Sequence, residues 1–577
     1  MIRRMVCHPV VSLCLVIAAI LASDYSFAQV QEPLPAQGTP QLIFSTYLGG
    51  WTPCAVCSDA RTFAQNAGSD AQGNTYVTGA TRASDLPVLN AFQPHPAPHS
   101  EMSAFVAKYD PPGKVLWTTY LGGNKQSMGV GVAVMPDGGV AVAGMTTSDG
   151  SGSESFPIKN AFQDHNNGQS DYFVTVFDAN GNLRYSTYLG GSGVDGSGFT
   201  DDNSNGNNLA ADAHGLIYLT GTTGPGSDAV IKFPVTPNAL QPDLKGSTDA
   251  FLCIFNPAKS GADSLVYCSF LGGERDEKGH SVTVNARSDR ITVAGYTNSY
   301  HFPTTSNAYR SQAAPSGYTS NGFLSEFKSS KPGDPSSEYS ARYSTYLGAD
   351  SKLARDDAYA VTLDVNGLIV ATGRTESADF PMNGPTVPSV YNNAPYLKPL
   401  KSGDEPFLVK IDPSLEGEAS LVYAMFLGGG SAKKGGLTTF CTGVVVDAQN
   451  AMYVGGETYS PGIEYVPFPI PLMAPTKFPY TNNALITTLG GNSDAVLMQV
   501  SPGGSWLGYS TFVGGNGSDR AYGLAVDPDG NVVLTGLTSS SDFPLKNPAQ
   551  NWPGIPGEQN AFIAKFSFAA ASGNGKR

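Results

Sequence analysis

The stretch Asp201-Asp202-Asn203-Ser204-Asn205-Gly206 has the spacing that opens a calcium loop, in which alternate carboxylate and amide oxygens converge on one ion. Asp212 stands at the twelfth position, where a bidentate carboxylate would complete the set. The competing reading is a solvated Asn-rich loop, because no helical pattern flanks the stretch and Asp212 is also an ordinary turn aspartate. A second set is Asp59, Asp195, Asp276, Asp356 and Asp519, each soon after a pair of small residues. Gathered on one face around a channel, these carboxylates could take a cation or a polar ligand. Alternatively, each accepts backbone N–H groups within its own loop. Trp51, Tyr459 and Tyr465, with Phe468 and Tyr480, offer aromatic faces for sugars or peptides, the later ones in or beside a Pro-rich insertion at 461–479.

Cysteine chemistry is expected to be structural. Cys54 and Cys57 are close enough for a small disulfide loop, and neither a thioredoxin-like context nor a second metal-type pair accompanies them. Cys253 and Cys268 fall opposite one another on two predicted strands, so a cross-strand bond is expected, while Cys441 is left over as a small buried apolar residue. The chain has no Gly-x-Ser-x-Gly elbow, no His-Glu-x-x-His and no phosphate-cradling Gly loop. Carboxylates for glycoside hydrolysis would come from separate repeats and carry no linear signature.

The elements that must position these residues repeat seven times. An aromatic-Leu-Gly-Gly tetrad recurs at Tyr47, Tyr120, Tyr188, Phe270, Tyr346, Phe426 and Phe512, with Ala349 ending the fifth copy and Val513 replacing Leu in the last. Gly-x-Thr recurs at Gly79, Gly144, Gly221, Gly295, Gly373, Gly456 and Gly536. Each period reads as four strands, A to D, separated by Gly, Asn, Asp and Pro clusters. A and B form a hairpin turned by segments such as Asp527-Pro-Asp-Gly530-Asn531; C is of the Ala-Phe-Val-Ala-Lys-Tyr type (104–109); D is of the Tyr-Ser-Thr-Tyr-Leu type.

Four antiparallel strands repeated about an axis predict an all-β, seven-bladed β-propeller. The pattern begins on a lone D strand (41–50) and ends on a lone C strand (560–566), so the first strand is expected to complete the last blade and remove two open edges. The Tyr-Ser-Thr-Tyr-Leu-Gly-Gly, Asp-x-x-Gly-Asn, Val-Thr-Gly-x-Thr, Ser-x-Asp-Phe-Pro and Asn-Ala-Phe elements resemble the bacterial β-propeller repeat family SBBP over about residues 41 to 568. That resemblance implies an exported or surface protein and supplies no catalytic motif. The chain departs from it in the polar first A strand, Phe63 to Asp70, and at Asp447-Ala-Gln-Asn450, where Asn replaces the turn glycine.

Arg3 and Arg4, an apolar run from Val10 to Ala22 and Ser26-Phe27-Ala28 predict a secretory signal peptide over 1–28. A linker (29–40), the propeller (41–568) and a tail (569–577) follow. Without residues 1–28 the chain keeps 32 basic and 47 acidic residues, which disfavours nucleic acid and anionic membranes as partners. The B-to-C and D-to-A connections are long and lie on one face, where binding is expected. Within them the recurrent Phe-Pro and Asn-Ala elements are expected to be structural. The expectation is therefore a monomeric, exported, non-catalytic module binding a protein or polysaccharide of the cell envelope or environment, periplasmic, secreted or surface-bound. The alternative is a carbohydrate lyase or hydrolase with its site at the channel mouth.

Overall fold

Short runs of Val, Ile, Tyr, Phe and Thr between Gly-, Asn- and Asp-rich turns form thirty strands among the described residues. The computed structural model describes residues 39–568 except 150–154, 197–205, 227–230, 314–319, 333, 335, 349–353, 378–379, 381–404, 431–438, 465–476, 505 and 555–556. Seven sheets of four antiparallel strands account for all but two of the strands. Blade 1 holds β2 (Thr62–Ser69), β3 (Thr75–Thr81), β4 (Ser103–Tyr109) and β5 (Val115–Leu121). Blade 2 holds β6 (Ser127–Val134), β7 (Val140–Thr146), β8 (Asp171–Phe177) and β9 (Leu183–Leu189). Blade 3 holds β10 (Leu209–Ala211), β11 (Ile217–Thr223), β12 (Asp249–Phe255) and β13 (Leu265–Leu271). Blade 4 holds β14 (Glu277–Val284), β15 (Arg290–Thr297), β16 (Asn321–Ser329) and β17 (Tyr339–Leu347). Blade 5 holds β18 (Asp356–Leu363), β19 (Ile369–Thr375), β20 (Glu405–Ile411) and β21 (Leu421–Phe426). Blade 6 holds β22 (Phe440–Val446), β23 (Met452–Thr458), β26 (Asp494–Val500) and β27 (Leu507–Val513), with the small parallel pair β24 (Gly462–Glu464) and β25 (Phe478–Tyr480) in its B-to-C connection.

Blade 7 is made from both ends of the propeller. β28 (Asp519–Val526), β29 (Val532–Thr538) and β30 (Asn560–Ser567) are completed by β1 (Gln41–Leu48), which pairs antiparallel with β30 from Gln41↔Ser567 to Leu48↔Ala561. Two edges that would otherwise be open are thereby joined.

The recurrent residues have specific structural duties. Six inner strands carry a bulge, at Gln65, Val130, His280, Tyr359, Thr442 and Tyr522, after the third residue of the strand in all but β22, where it follows the second. The bulge drives an inner-strand carbonyl against the second strand: a Cβ on Gly144 would stand 1.9 Å from Met128 O, and one on Gly536 1.9 Å from Arg520 O. Only glycine fits there, which explains the glycine of Gly-x-Thr. Blade 3 is described on either side of residues 197–205. Asp195 bridges Thr223 before them, and Asn208 O accepts from Thr220 N after them.

Three of the described B-to-C connections are anchored to the fold along part of their length. They run along the outer strand, bridging Leu89↔Thr118, Lys159↔Ser186 and Ser45↔Lys546, and so cover the edge of the blade. Their Phe-Pro phenylalanines are buried on the third strand, as in Phe156–Phe173 and Phe302–Phe323, with centroids 4.7 and 4.6 Å apart. The tetrad tyrosines clamp them. Tyr346 Oη accepts from Phe302 N at 2.8 Å and donates to Ser299 O at 3.0 Å, and Tyr47 does the same for Phe543 N and Ser540 O. The Asn-Ala asparagines Asn90 and Asn160 take positive φ and donate their amides to outer-strand carbonyls. At the opposite end the turn aspartates are locked by the lysine of the third strand: Lys565–Asp527 at 2.8 Å and Lys410–Asp364 at 2.7 Å, both buried.

Candidate binding site at the channel mouth

The inner strands of all seven blades surround a cavity of about 350 Å³ whose lining carries no charged side chain. Its polar wall includes Asn66, Ser69, Asn207, Ser281, Thr362 and Thr442. The chain around Asn207 crosses this space. Gly206 N donates to Tyr359 O, Val282 N to Asn207 O, and Asn207 exchanges two bonds with the Val132 backbone.

Above the cavity, at the end where the inner strands begin, lies a ring of seven polar residues: Thr62, Ser127, Asp195, Glu277, Asp356, Thr439 and Asp519. Each faces the threonine of Gly-x-Thr. Thr62–Thr81 is 2.8 Å, Ser127–Thr146 2.9 Å, Thr297 Oγ1–Glu277 Oε1 2.5 Å and Thr375 Oγ1–Asp356 Oδ1 2.5 Å. The same threonines accept a backbone N–H two residues on, as Ser148 N to Thr146 and Ser299 N to Thr297.

The five aspartates singled out from the sequence therefore separate. Asp195, Asp356 and Asp519 occupy the ring but are buried and bonded within their own loops, Asp195 to Gly191 N and Asp519 to Gly515 N and Ser540 Oγ. Asp276 is one residue out of register and Glu277 stands in its place. Asp59 lies three residues before Thr62 and pairs with Arg61 and Arg82 at 3.1 and 3.2 Å.

Asp212 is likewise absorbed by its turn. Its Oδ1 accepts from His214 N and Leu216 N and its Oδ2 from Tyr218 Oη at 2.8 Å. Asp201, Asn203, Asn205 and Tyr465 lie outside the described residues, and among those described no group of three or more potential metal ligands converges. Cys54–Cys57 and Cys253–Cys268 are bonded. Cys441 is free and buried in β22, and burial pushes its thiol up to about 12.

One step inward from the ring, the second inner-strand residue and its cross-strand partner divide the mouth into halves. Blades 1 and 2 present Phe63/Ala80 and Met128/Met145. Blades 4 to 7 present Lys278/Tyr296, Asp357/Arg374, Phe440/Glu457 and Arg520/Leu537. Arg374 pairs with Asp357 at 3.3 Å; Arg520 pairs with Glu457 and donates to Tyr459 Oη at 3.2 Å. The His280 ring lies 5.7 Å from Tyr296 and 5.4 Å from Tyr359, whose Oη reaches Asp357 Oδ2 at 3.4 Å. Burial brings the Lys278 ammonium down to about 8 against the opposing pull of Asp357, and burial raises the Tyr296 phenol, with Asp357, Asp276 and Glu277 adding to it. Sequence reading missed this cluster because its members come from different blades at positions where the repeat varies.

Outside the mouth, Trp51 and Trp552 are exposed by 46% and 36% and lie against one another with centroids 4.9 Å apart and ring planes tilted by 33°. Trp51 N and Thr52 N are both held by Asp85 Oδ1 at 2.9 Å, and the Cys54–Cys57 loop follows. Trp51 comes from the D-to-A connection after β1 and Trp552 from the B-to-C connection before β30, so blade closure assembles the pair. Trp552 carried no repeat signal and was not anticipated.

Among known proteins, the Caulobacter vibrioides regulatory protein FlaEY is 26% identical over 185 residues, which are 32% of this chain and only 17% of FlaEY. A protein of unknown function from Dyadobacter fermentans aligns at TM-score 0.35 and 10% identity over 76% of this chain and 94% of its own. The acylaminoacyl peptidase of Pyrococcus horikoshii aligns at TM-score 0.35 and 8% identity over 86% and 52%, respectively. The family model for the SBBP beta-propeller repeat matches residues 508–544. With seven four-stranded sheets and that match, the chain is a seven-bladed β-propeller carrying the SBBP repeat.

Proposed function

We propose that this protein is an exported, non-catalytic binding module whose ligand is a polysaccharide of the cell envelope or environment, docked on the face that carries the D-to-A connections. The exposed Trp51/Trp552 pair carries this reading. Two large rings held at the surface by a blade junction, a carboxylate and a disulfide loop form a preorganised platform for the apolar face of a sugar. A free aromatic pair of this kind has no packing duty in the blades. Export rests on the sequence of residues 1–28. Among the described residues no helix is long and apolar enough to cross a membrane. The test is a glycan and peptide array probed with the wild type and with Trp51→Ala and Trp552→Ala. Glycan binding weakened about tenfold or more by either change, with unaltered melting, supports the reading. Peptide-only binding, or glycan binding indifferent to both tryptophans, refutes it.

A second reading, a carbohydrate lyase, is favoured by the gathering of Lys278, His280, Tyr296 and Tyr359 at the mouth. A lysine held near neutrality and a phenol are the groups that remove a proton next to a carboxylate. Release of unsaturated sugar, followed by ultraviolet absorbance, would establish it.

A further inference from the structure

We propose that Lys278 is an anion-recognising subsite at the channel mouth that takes the carboxylate of an acidic sugar, so that the polysaccharide bound by this module is a uronate polymer. The proposal rests on the polysaccharide reading above and narrows its substrate class. Among the described residues of the inner two strands at the mouth, each other cation already has a carboxylate, and of the cations flanking them Arg355, beside β18, is exposed to solvent. Arg374 has Asp357, Arg520 has Glu457, and Arg61 and Arg82 share Asp59. Lys278 has no carboxylate oxygen within 4 Å. It is half-buried, so it has lost part of its hydration without gaining an internal counter-ion.

Its surroundings suit a sugar rather than a polyphosphate. Tyr296 lies directly across the ladder and His280 two residues on, with Asp357, Tyr359, Arg355 and Arg374 on the neighbouring blade and Glu277 on the other face of its own strand. One ammonium matches one carboxylate, and phenol and imidazole edges match neighbouring hydroxyls. Ser281 and Ala360, next in sequence to His280 and Tyr359, open the uncharged cavity wall of amides and hydroxyls. The net charge of −14 disfavours a densely charged polyanion but not a ligand met by one local cation. Burial that lowers the ammonium toward 8 is relieved when an anion arrives, so binding and protonation reinforce one another.

The experiment compares oligogalacturonate and oligomannuronate with their carboxyl-reduced counterparts by calorimetry at pH 7, on the full chain. The wild type is expected to prefer the acidic forms by about tenfold or more, the scale of one charge-assisted hydrogen bond. Lys278→Met should lose that preference, Lys278→Arg should keep it, and Lys259→Met, an exposed lysine at the opposite end of blade 3, should leave it intact. Independently of any variant, the wild-type preference should fade between pH 7 and pH 10, and in Lys278→Arg it should not. Equal binding of acidic and reduced forms overturns this inference while leaving the polysaccharide reading standing, as does a preference that survives in Lys278→Met. Binding of neither form overturns both.

Discussion

Acidification from pH 7 toward pH 4 is expected to stabilise this protein, and the source is the seam between blades 2 and 3. Asp171, the first residue of β8, and Asp195, the first ring residue of blade 3, are both fully buried. A methyl group on Gly190 would stand 2.4 Å from Asp171 Oδ1 and 2.6 Å from Asp195 Oδ2, so these oxygens are at most the sum of those distances apart. Asp171 Oδ2 accepts from Gln163 Nε2 and Asn167 N, but Oδ1 of both aspartates has no donor among the described residues. Burial, with the Asp195 charge adding to it, raises the Asp171 carboxyl to about 7, and burial raises Asp195 to about 6. Two neighbouring buried carboxylates titrate as a coupled pair, the charge of one raising the other. The sign follows. A carboxyl raised in the folded state binds more protons folded than unfolded, so its stabilisation is complete below about pH 4 and is lost as pH rises toward 7. For Asp171 the interval from 3.8 to about 7, at roughly 1.4 kcal/mol per pH unit, amounts to about 4 kcal/mol. Opposing it, Asp137, Asp178 and Asp364 are held below their usual range by hydrogen bonds and nearby cations that outweigh burial, and their contribution fails as pH falls through and below 4. Stability should therefore peak near pH 4–5. The assay is urea unfolding from pH 4 to pH 8 on wild type and Asp171→Asn. Asparagine is native at this position in two other blades, Asn321 and Asn560, and its amide would donate to Asp195. The variant should match wild type at pH 4 and exceed it by about 2–4 kcal/mol at pH 7. Parallel profiles for the two proteins would refute the raised Asp171 carboxyl as the source.

Three further predictions follow from the packing. Lys565→Met strands Asp527 and removes the bond from Lys565 Nζ to Gly73 O that ties blade 7 to blade 1; a loss of about 3–5 kcal/mol by urea unfolding is expected, and under 1 kcal/mol would contradict it. Tyr346→Phe leaves Phe302 N and Ser299 O without their partner and should cost about 1–3 kcal/mol, with earlier proteolysis in the 299–320 connection. Chelation of calcium should leave the melting temperature unchanged, because the carboxylate at the twelfth position is already spent on three bonds in the Asp212 turn; a chelator-sensitive shift abolished in Asp201→Ala would overturn this.

The architecture was legible because each blade repeats the same physical problem. Gly-x-Thr recurs because the inner-strand bulge leaves no room for a Cβ and because one threonine hydroxyl serves both the ring residue and a loop N–H. The aromatic-Leu-Gly-Gly tetrad recurs because its tyrosine or phenylalanine clamps the Phe-Pro connection to the blade edge. Closure was legible from the phase of the strands alone. The mouth was not. Lys278, Tyr296, Arg374 and Arg520 sit at second positions whose side chains meet across blades, and linear spacing carries no trace of that meeting. Residue type misled at one carboxylate: Asp276 was chosen as an aspartate, whereas the spacing of Asp195 and Asp519 from their glycine pairs, and the pairing to Thr297, both select Glu277.

Sevenfold repetition also separates what the fold requires from what it permits. At the seam of blades 1 and 2, Ser103 and Ser127 flank Gly122, and blade 7 uses Asn560 beside Gly49, so two carboxylates are no condition of packing there. Yet three seams carry them: Asp171 with Asp195, Asp249 with Glu277, and Asp494 with Asp519. Desolvating a carboxylate without a cation is unfavourable, so a substitution that the other blades make harmlessly would relieve it. The same comparison isolates Lys278, for the equivalent position holds Phe63 in blade 1 and Met128 in blade 2, both of which pack without a charge. The charged counterparts Asp357 and Arg520 each have an ion-pair partner, so Lys278 differs from them in carrying its charge without one. On that reasoning the binding preference of this propeller resides in the departures around Lys278 and in Trp51 and Trp552, and the seam carboxylates make the scaffold beneath them responsive to pH.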